Sequence, residues 1–563
     1  MAAIAAFFLF AGCSEDKTLY IVSTGDVHGA WFNQPYVDGG STKTSLMSVM
    51  HYVDSLRSAV GRKNVLLIDA GDILQGDNAS YYFNYLKTDV PHLYPRIAHY
   101  MGYDAVTVGN HDMETGHPVY DRVKAELEAY GIPFLAGNYL KEDGSSYFPE
   151  YAVFRKAGKK VLVLGFGNAN IKAWLSENLW SGMEFESLLP YAQKVVDKAV
   201  AAEKPDVVVM SIHSGTGSGD ESVLESQGMD LFNSLKGVDV LITAHDHRPV
   251  VKKEGEFVLM NSGSKAGYVA VATVCDKDGR HVDAKTVRLD KNVVDEAMVK
   301  EFEPEFQEVK EFTNKEVGTI AMAMRTRDAY KGMCDYVNLV HTVQISVPEA
   351  ELSFAAPLTF DGTIKEGTVL FDDMFTIYPY ENQMCVVKLT GSEILNYMEY
   401  SYNKWIQTPG RHVLRIESRP DPRTATASWS FISRSYNFDS VAGLVYTVDV
   451  TKPFGQRISI KSLANGKSFN KDDYYNVSMT SYRANGGGEL LSLGAGVADA
   501  EAEGRIVAKY PEIRNLIYDY IQKEKTITPE LISDPSVIGS WKFVPESLVQ
   551  PMLEADMRLV FPR

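Results

Sequence analysis

Polar side chains that can bind metal ions follow several apolar runs of this sequence, at the points where the runs end. The runs are "YIVST", "VLLIDA", "AVTVG", "VVMSI" and "VLITA", and five of the twelve histidines follow them. A mixture of carboxylate, imidazole and amide donors suits Zn, Mn, Fe or Co, whereas Ca prefers an all-oxygen shell. The residues are Asp26, His28, Asp72, Asn110, His111, His213, His245 and His247.

The spacing of two pairs favours a shared metal centre. Residues i and i+2 at a strand end project from the same face, so Asp26 and His28 can aim two donors at one spot or at adjacent metals. The same holds for His245 and His247. In an open α/β sheet, the loops after the strands converge on one edge. We therefore predict a metal centre at that edge, although any one of these histidines alone would be read as a hydrogen-bonded cap or core residue.

The elements that position these residues alternate along the first half of the chain. From residue 18 to about 290, short apolar runs alternate with amphipathic stretches, and the periodicity predicts helices over 44–60, 117–130 and 187–203. This alternation is typical of an α/β domain whose sheets are covered by helices.

The chain is long enough for a second domain, since 563 residues exceed what one hydrophobic core usually supports. A charged, predicted helical stretch near 292–316 reads as the connection. Beyond about 330 the sequence predicts an α+β domain, with a helix at 391–404. Its strand-like runs are 442–450, 456–463 and 474–480.

Charge and the N-terminus restrict the partners. A net charge of -17 argues against a nucleic-acid polymer, because such binding depends on basic residues. The N-terminal apolar stretch is too short to span a bilayer and fits a secretory signal. It ends in Phe-Ala-Gly-Cys, which resembles a bacterial lipobox with Cys13 as the lipidated residue. We expect an exported protein whose only membrane contact is a lipid anchor in the cell envelope; the alternative is a buried N-terminal segment.

The order D-x-H, G-D, G-N-H-D, H and H-x-H resembles the calcineurin-like metallophosphatases. The resemblance implies an N-terminal helix-covered β sandwich that holds two divalent metal ions. It implies Asp26, His28, Asp72 and His247 as ligands of the first metal, and Asp72, Asn110, His213 and His245 as ligands of the second. His111 matches the family's catalytic histidine, with Glu114 where relatives commonly have aspartate. Ala244 replaces the glycine of the usual G-H-x-H.

The second half resembles the C-terminal domain of the bacterial 5′-nucleotidase/2′,3′-cyclic phosphodiesterase family, through "MFTIYPYENQ", "SYNFDSVAG" and "TSYRANGGGELL". It is most similar to the branch of 2′,3′-cyclic-nucleotide 2′-phosphodiesterase/3′-nucleotidases. In that branch, the positions of Tyr436 and Tyr482 clamp the base. The other substrate contacts implied are Asn437, Asp439, Arg483 and Asn485, and the glycines 486–488 would allow close approach of a ligand.

The resemblance implies a metal-dependent phosphoesterase in which a metal-bound hydroxide attacks phosphorus. The expected substrates are small nucleotides, most of all 2′,3′-cyclic nucleotides and then 3′-nucleotides. The alternatives are a 5′-nucleotidase and, from another class, a surface lipoprotein that captures nucleotides without turnover. The expected segments are a signal and tether (1–17), a dimetal phosphoesterase domain (18–292), a helical linker (293–330), a nucleotide-binding domain (331–545) and a C-terminal tail (546–563).

Overall fold

The computed structural model describes residues 17–38, 40–219, 223–277, 279–420, 427–498 and 502–562. They form two compact units. The first contains residues 17–171 and 177–313, and the second contains residues 172–176 and 314–562. The expected lipidation site, Cys13, lies outside the described residues. Within the described ranges, no helix has both the length and the hydropathy needed to cross a membrane.

The first unit contains two six-stranded sheets and a two-stranded ribbon. Its strands are β1 (Leu19–Thr24), β2 (Val65–Asp69), β3 (Ala105–Thr107), β4 (Phe134–Leu135), β5 (Tyr139–Leu140), β6 (Tyr151–Lys156), β7 (Lys159–Phe166), β8 (Glu184–Phe185), β9 (Val207–Ile212), β10 (Val240–Thr243), β11 (Pro249–Glu254), β12 (Phe257–Ser262), β13 (Tyr268–Cys275) and β14 (His281–Arg288). One sheet has the order β14-β13-β1-β2-β3-β4 and the other β11-β12-β10-β9-β7-β6. Strands β1 to β4 are parallel, as are β7, β9, β10 and β12.

The two sheets pack face to face, and helices cover the outside. Alternate residues of β7 show this arrangement: Val161 and Val163 lie in the core between the sheets, while Leu162 and Leu164 pack in a separate core with helical residues. Because both faces of the central strands are buried, their sequences are continuous apolar runs rather than alternating ones. The predicted α/β fold with a helix-covered sandwich is confirmed.

The helices of the first unit include the three that the sequence predicts. They are α1 (Leu46–Val60), α2 (Asn78–Tyr81), α3 (Leu93–Met101), α4 (Asn110–Glu114), α5 (His117–Ala129), α6 (Leu188–Glu203), α7 (Gly228–Ser234), α8 (Glu296–Glu301) and α9 (Glu303–Thr313). The expected linker is divided, because α8 and α9 lie in the first unit and residues from 314 onward lie in the second.

The second unit has an α+β architecture around a five-stranded sheet of order β23-β17-β26-β20-β27. Its strands are β15 (Glu316–Ile320), β16 (Met324–Arg325), β17 (Leu352–Ala355), β18 (Thr363–Ile364), β19 (Gly367–Leu370), β20 (Gln383–Thr390), β21 (Ile416–Pro420), β22 (Ala427–Phe431), β23 (Ser440–Ala442), β24 (Leu444–Asp449), β25 (Ile458–Leu463), β26 (Tyr474–Thr480), β27 (Ile506–Glu512), β28 (Thr526–Ile527) and β29 (Gly539–Val544). Its helices are α10 (Asp335–Ile345), α11 (Phe371–Ile377), α12 (Gly391–Trp405), α13 (Ser481–Ala484), α14 (Ile513–Glu524), α15 (Pro529–Ile532) and α16 (Glu546–Val560).

Helix α12 illustrates how local sequence determines where a helix of this unit begins and which face it buries. Thr390 and Glu393 cap its first turn reciprocally: the Glu393 amide donates to Thr390 Oγ1 at 3.2 Å, and the Thr390 amide donates to Glu393 Oε2 at 2.7 Å. Apolar residues at helical spacing, from Ile394 to Trp405, face the core. Residues of α16, within the expected C-terminal tail, are buried in the same core.

Candidate functional site

The predicted ligands of the first unit all lie just beyond the carboxyl ends of parallel strands. Strands β1, β2 and β3 of one sheet precede Asp26 with His28, Asp72, and Asn110 in turn. Strands β9 and β10 of the other sheet precede His213 and the His245–His247 pair. The two sheets therefore contribute to one edge of the sandwich, where side chains far apart in sequence meet.

The backbone of most of these residues is left-handed, not extended. The φ angles are 50° at Asp26, 49° at His28, 59° at Asp72, 71° at His245 and 58° at His247. The expectation that each i, i+2 pair projects from one face of a strand is wrong, because β1 ends at Thr24 and β10 at Thr243, before the ligands begin. Non-glycine residues rarely adopt this conformation, and where they do the surrounding structure must hold them.

The donor atoms form two groups that can each hold a metal ion. One group is Asp26, His28 and His247, and the other is Asp72, His213 and His245; within each group the ligand atoms lie within 4.8 Å of one another. In the first group, His28 Nε2 lies 3.0 Å from His247 Nε2. In the second, His213 Nε2 lies 3.0 Å from Asp72 Oδ2.

Asn110 and Asp72 extend and connect these groups. Asn110 Oδ1 lies 2.9 Å from His245 Nδ1, which adds the amide oxygen to the second group. Asp72 Oδ2 lies 3.0 Å from His213 Nε2 and also 3.8 Å from His28 Nε2 in the first group. A carboxylate in this position can bridge two cations.

Three buried polar atoms here indicate what the site holds. Within the described part of the chain, Asp26 Oδ2 has no hydrogen-bond partner, and Asp72 Oδ2 and His213 Nε2 meet only each other, as an ion pair at 3.0 Å. Buried carboxylate and imidazole atoms with so few partners are rare, and a bound cation would satisfy all three. The opposite ring nitrogens are held by the backbone: His213 Nδ1 lies 2.8 Å from the Ala70 carbonyl and His28 Nδ1 3.2 Å from the Gln75 carbonyl. This fixes both rings, so the residues fit a pair of divalent metal ions.

The two donor groups differ in their electrostatics. Burial lowers the pKa of His213, but the carboxylates of Asp72 and Asp26 outweigh it and raise the pKa to about 10, so a cation would have to displace a proton from this ring. Burial lowers the pKa of His247 to about 3 and that of His28 well below its usual value, so both rings are neutral and able to ligate at neutral pH. Burial opposes ionisation of Asp72, yet the surrounding imidazoles, led by His213, hold its pKa well below the usual range. Burial raises the pKa of Asp26 well above its usual range, and a cation beside it would favour the carboxylate.

His111 and Glu114 lie together beside the two groups. They are three residues apart on α4, and His111 Nδ1 lies 2.5 Å from Glu114 Oε2. The His111 ring is 5.3 Å from that of His28, and its amide donates to Asp72 Oδ1 at 2.8 Å. Burial lowers the pKa of His111, but the carboxylates of Asp72 and Glu114 outweigh it and raise the pKa to about 9. The Glu114 carboxylate therefore reaches the histidine with its longer side chain.

Two glycines, Gly109 and Gly25, allow the loops to approach one another this closely. A Cβ at Gly109, in "GNHD", would lie 2.2 Å from Asp72 Oδ1. The methyl group of Ala244, which departs from the family's glycine, faces Gly25, where an added Cβ would lie 3.3 Å from it. The absence of a side chain at Gly25 makes room for the alanine.

In the second unit, the two predicted base-clamping tyrosines lie near each other at one end of the central sheet. Tyr436 is in a 3₁₀ turn (Ser435–Asn437) before β23, and Tyr482 is in α13 directly after β26. Both are half-buried. Their ring centroids are 6.4 Å apart and the rings are inclined at 85°, so one ring points its edge at the other. A base sandwiched between them would require one ring to rotate.

The predicted substrate contact Arg483 is instead engaged inside the protein. A guanidinium has five N–H donors, and here each has an acceptor. Nε donates to Asp439 Oδ2 at 3.0 Å and Nη2 to Asp439 Oδ1 at 3.0 Å. Nη1 donates to Asn437 Oδ1 at 3.0 Å and to the Gly487 carbonyl at 2.9 Å, and Nη2 also donates to the Tyr436 carbonyl. The guanidinium therefore holds the tyrosine loops and has no N–H left for a substrate.

The glycine run has a similar internal role. A Cβ at Gly487 would lie 2.5 Å from the Tyr482 ring, and one at Gly488 would lie 2.3 Å from Asn437 Oδ1. These glycines are thus required for packing against the Arg483 network, whereas the sequence suggested approach of a ligand. Asn485 Nδ2 donates to the carbonyl of Trp174 at 3.3 Å.

The two units match known domain families. Residues 19–249 match the family described as calcineurin-like phosphoesterase, and residues 313–493 match the 5′-nucleotidase C-terminal domain. The chain combines these two domains. It is therefore a phosphoesterase of the metallophosphatase type.

Curated relatives extend over both domains of the phosphoesterase. It is 24% identical to the trifunctional nucleotide phosphoesterase protein YfkN of Bacillus subtilis over 96% of this chain, although it spans only 40% of that relative's length. It is 22% identical to a 2′,3′-cyclic-nucleotide 2′-phosphodiesterase/3′-nucleotidase of Salmonella typhimurium, covering 94% of this chain and 89% of the relative.

Solved structures share the fold of the phosphoesterase. A candidate 5′-nucleotidase from Staphylococcus aureus, in complex with α-ketoglutarate, has a TM-score of 0.77 at 19% identity, covering 93% of this chain and 99% of that one. A 5′-nucleotidase precursor from Thermus thermophilus has a TM-score of 0.63 at 18% identity, covering 94% and 100%.

Two aspartates that the sequence reasoning missed hold the ligand loops of the phosphoesterase. Asp112 accepts hydrogen bonds from four amides, those of Gly109 and of residues 72–74, at 2.8–3.0 Å. Asp246 accepts from the Thr216 amide at 2.9 Å and from Asn261 Nδ2 at 2.8 Å. Each aspartate adjoins a predicted site residue in sequence, His111 in "GNHD" and both histidines in "HDH", and that adjacency was the available signal.

Proposed function

We propose that this chain is a dimetal hydrolase of nucleotide phosphoesters, which opens 2′,3′-cyclic nucleotides at the 2′ oxygen and then hydrolyses the resulting 3′-nucleotides. The observation that carries the proposal is the pair of donor groups meeting at Asp72, whose Oδ2 faces His28 of one group and His213 of the other, at the edge of a phosphoesterase sandwich. The substrate is supported by the relative named for these two activities, which is matched along 94% of this chain.

The ligand assignment follows from the two groups. The first ion would be held by Asp26, His28, Asp72 and His247. The second would be held by Asp72, Asn110, His213 and His245. Imidazole nitrogens, carboxylates and one amide oxygen suit Zn, Mn, Fe or Co.

Bound divalent ions would supply Lewis-acid polarisation of the phosphoryl oxygens and a nucleophilic water near neutral pH. The role of His111 is to donate a hydrogen bond from Nε2 to a phosphoryl oxygen as negative charge develops there. Glu114 holds the opposite nitrogen, Nδ1, at 2.5 Å and so fixes the ring and its proton. As the oxygen of water bonds to phosphorus, the bond between phosphorus and the ribose oxygen would break, and a proton released by the water would end on that ribose oxygen.

Base recognition is assigned to Tyr436 and Tyr482. Stacking of a base on aromatic rings is worth about 1–3 kcal/mol per base and tolerates different bases. The inclined tyrosines would have to become parallel around the base. The internal hydrogen bonds of Arg483, Asp439 and Asn437 favour a supporting role for these three residues.

Two other functions remain as alternatives. A 5′-nucleotidase would use the same metal centre, and a relative in Vibrio vulnificus carries that name at 21% identity over 85% of this chain. A nucleotide-capturing surface protein without turnover would have no use for His111 and Glu114 in hydrogen-bond contact beside two donor groups.

Phosphate release from a panel of nucleotides separates these functions. The metal-replete protein should hydrolyse 2′,3′-cyclic AMP and 3′-AMP faster than 5′-AMP, and a chelator should abolish the activity. For the cyclic substrate, a coupled 3′-nucleotidase reports the ring-opened product. Faster turnover of 5′-AMP would favour the 5′-nucleotidase, and binding without turnover would favour the capture protein.

We further propose export and lipid anchoring at Cys13. The lipobox-like sequence supports this assignment. Metabolic labelling with a radioactive or clickable fatty acid should mark the wild-type chain in a bacterial host, and Cys13→Ser should abolish the label. A labelled Cys13→Ser protein would contradict the assignment.

A further inference from the structure

Lys265 lies in the loop between β12 and β13, next to the donor groups, and its backbone is unusual. Lys265 and Ala266 are consecutive non-glycine residues with φ angles of 53° and 50°. Two successive left-handed residues of this kind need external support. One such support is the Thr44 hydroxyl, which donates to the Lys265 carbonyl at 2.9 Å.

The contacts of Lys265 converge on the backbone of two predicted ligands. Its amide donates to the Asp26 carbonyl at 2.9 Å. Its ammonium Nζ donates to the carbonyls of His28 and Gly76, each at 3.1 Å. One residue therefore binds the carbonyl groups of both ligands that follow β1.

These carbonyl groups need such donors because of the left-handed conformation of Asp26 and His28. The turn directs their carbonyls away from the strand ladder, where extended residues would find partners. Gly76, the other carbonyl partner of the ammonium, has a φ angle of 114°, and an added Cβ there would lie 3.0 Å from the His28 Cβ. The backbone of Gly76 therefore lies against the His28 turn, and the ammonium bonds to both.

We propose that Lys265 is a positioning residue for the first metal site, which holds the Asp26–His28 turn in the conformation that directs both side chains to one cation. The inference rests on the proposed dimetal centre. It concerns how the chain builds that centre, not which substrate is hydrolysed.

The charge of Lys265 and its positioning role would have opposite effects on metal affinity, so the direction of the change in a Lys265 variant tests the inference. The Lys265 ammonium lies 3.1 Å from the carbonyl oxygen of His28, a predicted ligand of the first metal ion. A positive charge so close to a cation site repels the cation. Removing the charge alone would therefore strengthen metal binding, so weaker binding by a folded variant that lacks the charge indicates lost positioning.

The decisive experiment measures metal affinity on the full chain. Zn²⁺ or Mn²⁺ is titrated into metal-free protein in competition with a chromophoric chelator, and bound ions are counted by mass spectrometry. For Lys265→Met we expect the first ion to bind roughly 10–100-fold more weakly, the usual range for loss of a residue that supports a ligand. The second ion should bind within about threefold of wild type.

Matched variants control for charge and for folding. Lys43→Met removes a nearby lysine that pairs with the Asp77 carboxylate, and it should leave both affinities within about threefold of wild type. Lys265→Arg, which keeps donors for the two carbonyls, should recover most of the affinity. Lys265→Gln keeps one amide donor and should be intermediate. Thermal unfolding of the metal-free proteins identifies any variant that does not fold.

Each result has a separate meaning. Unchanged or tighter binding by Lys265→Met and Lys265→Gln would overturn the positioning role. Full metal occupancy with a large fall in kcat would also overturn it, since Lys265 would then act on the substrate. A wild-type protein that binds fewer than two ions would instead refute the dimetal centre itself.

Discussion

Replacing Arg483 by methionine tests whether this arginine binds substrate or supports the tyrosine loops. The Arg483 side chain is 4% exposed and that of its partner Asp439 is 2% exposed. Methionine would leave the buried Asp439 carboxylate with the Tyr397 hydroxyl but without its cation. Breaking a buried pair by removing one partner costs about 3–5 kcal/mol. We expect a loss of that size in the unfolding free energy of the second unit.

A double-mutant cycle separates the interaction energy of Arg483 with Asp439 from that of the other hydrogen bonds in the network. Asp439→Leu should also be destabilising, because it leaves a buried guanidinium without its anion. The double variant Arg483→Met/Asp439→Leu should lose less than the sum of the two, with an interaction energy of about 2 kcal/mol or more. Urea unfolding followed by tryptophan fluorescence is suited to this test, because Trp405 and Trp541 lie in the core of the same unit.

Lysine at position 483 gives the result that could refute this reasoning. It keeps the charge but cannot reproduce the bidentate contact with Asp439, so we expect an intermediate loss of stability. We expect KM to rise only as far as the loops that carry Tyr436 and Tyr482 lose their order, and we expect kcat to stay close to that of the wild type. A lysine variant within about 0.5 kcal/mol of wild type in stability, whose KM nevertheless rises more than about tenfold, would show direct substrate contact.

Three further predictions concern the metal centre and the core of the second unit. His111→Ala should keep both metal ions, counted by mass spectrometry, and lose about 10²–10⁴-fold in kcat, whereas Asp72→Ala should lose metal as well; full turnover in His111→Ala would contradict its role. Asp112→Asn should weaken metal binding, measured by chelator competition, because an amide cannot accept all four backbone N–H bonds; unchanged affinity would contradict this. Burial lowers the pKa of His341 to about 3, below the value near 6.5 in the unfolded chain. The contribution of the neutral, buried His341 to the free energy of unfolding is therefore complete above pH 6.5 and is lost as the pH falls towards 3. The loss is at most about 1.4 kcal/mol per pH unit. Urea titrations across this range should show a shallower pH dependence for His341→Gln, and identical slopes would refute the assignment.

The elements that carry the site could be predicted from local pattern. The apolar runs before Asp26, Asp72 and His213 are strands, and the amphipathic stretches between them are helices. A strand that is buried on both faces is apolar throughout, and a helix that is buried on one face has apolar residues at helical spacing. The second domain shows the same correspondence: the predicted strand at 474–480 is β26, and the predicted helix at 391–404 is α12 within one residue.

The conformation of the ligand loops could not be predicted in this way. The left-handed φ angles of Asp26 and His28 are held by groups distant in the chain, among them Lys265 and the backbone of Gly71 and Asp72. Aspartate and histidine adopt these angles more often than most other non-glycine residues, but still in a small minority of cases. Only the completed packing of the two sheets supplies the hydrogen bonds that hold them.

The sequence by itself determined which residues could act as ligands and, by their position after apolar runs, that they would meet at one edge of a sheet. The tertiary structure alone decided how the polar residues of the second unit are used. Arg483 and Asp439 look like substrate contacts in "TSYRANGGG" and "SYNFD", yet they bind each other and the loops beside them. A buried charge binds the nearest complementary group that the fold offers, and sequence patterns do not record which group that is.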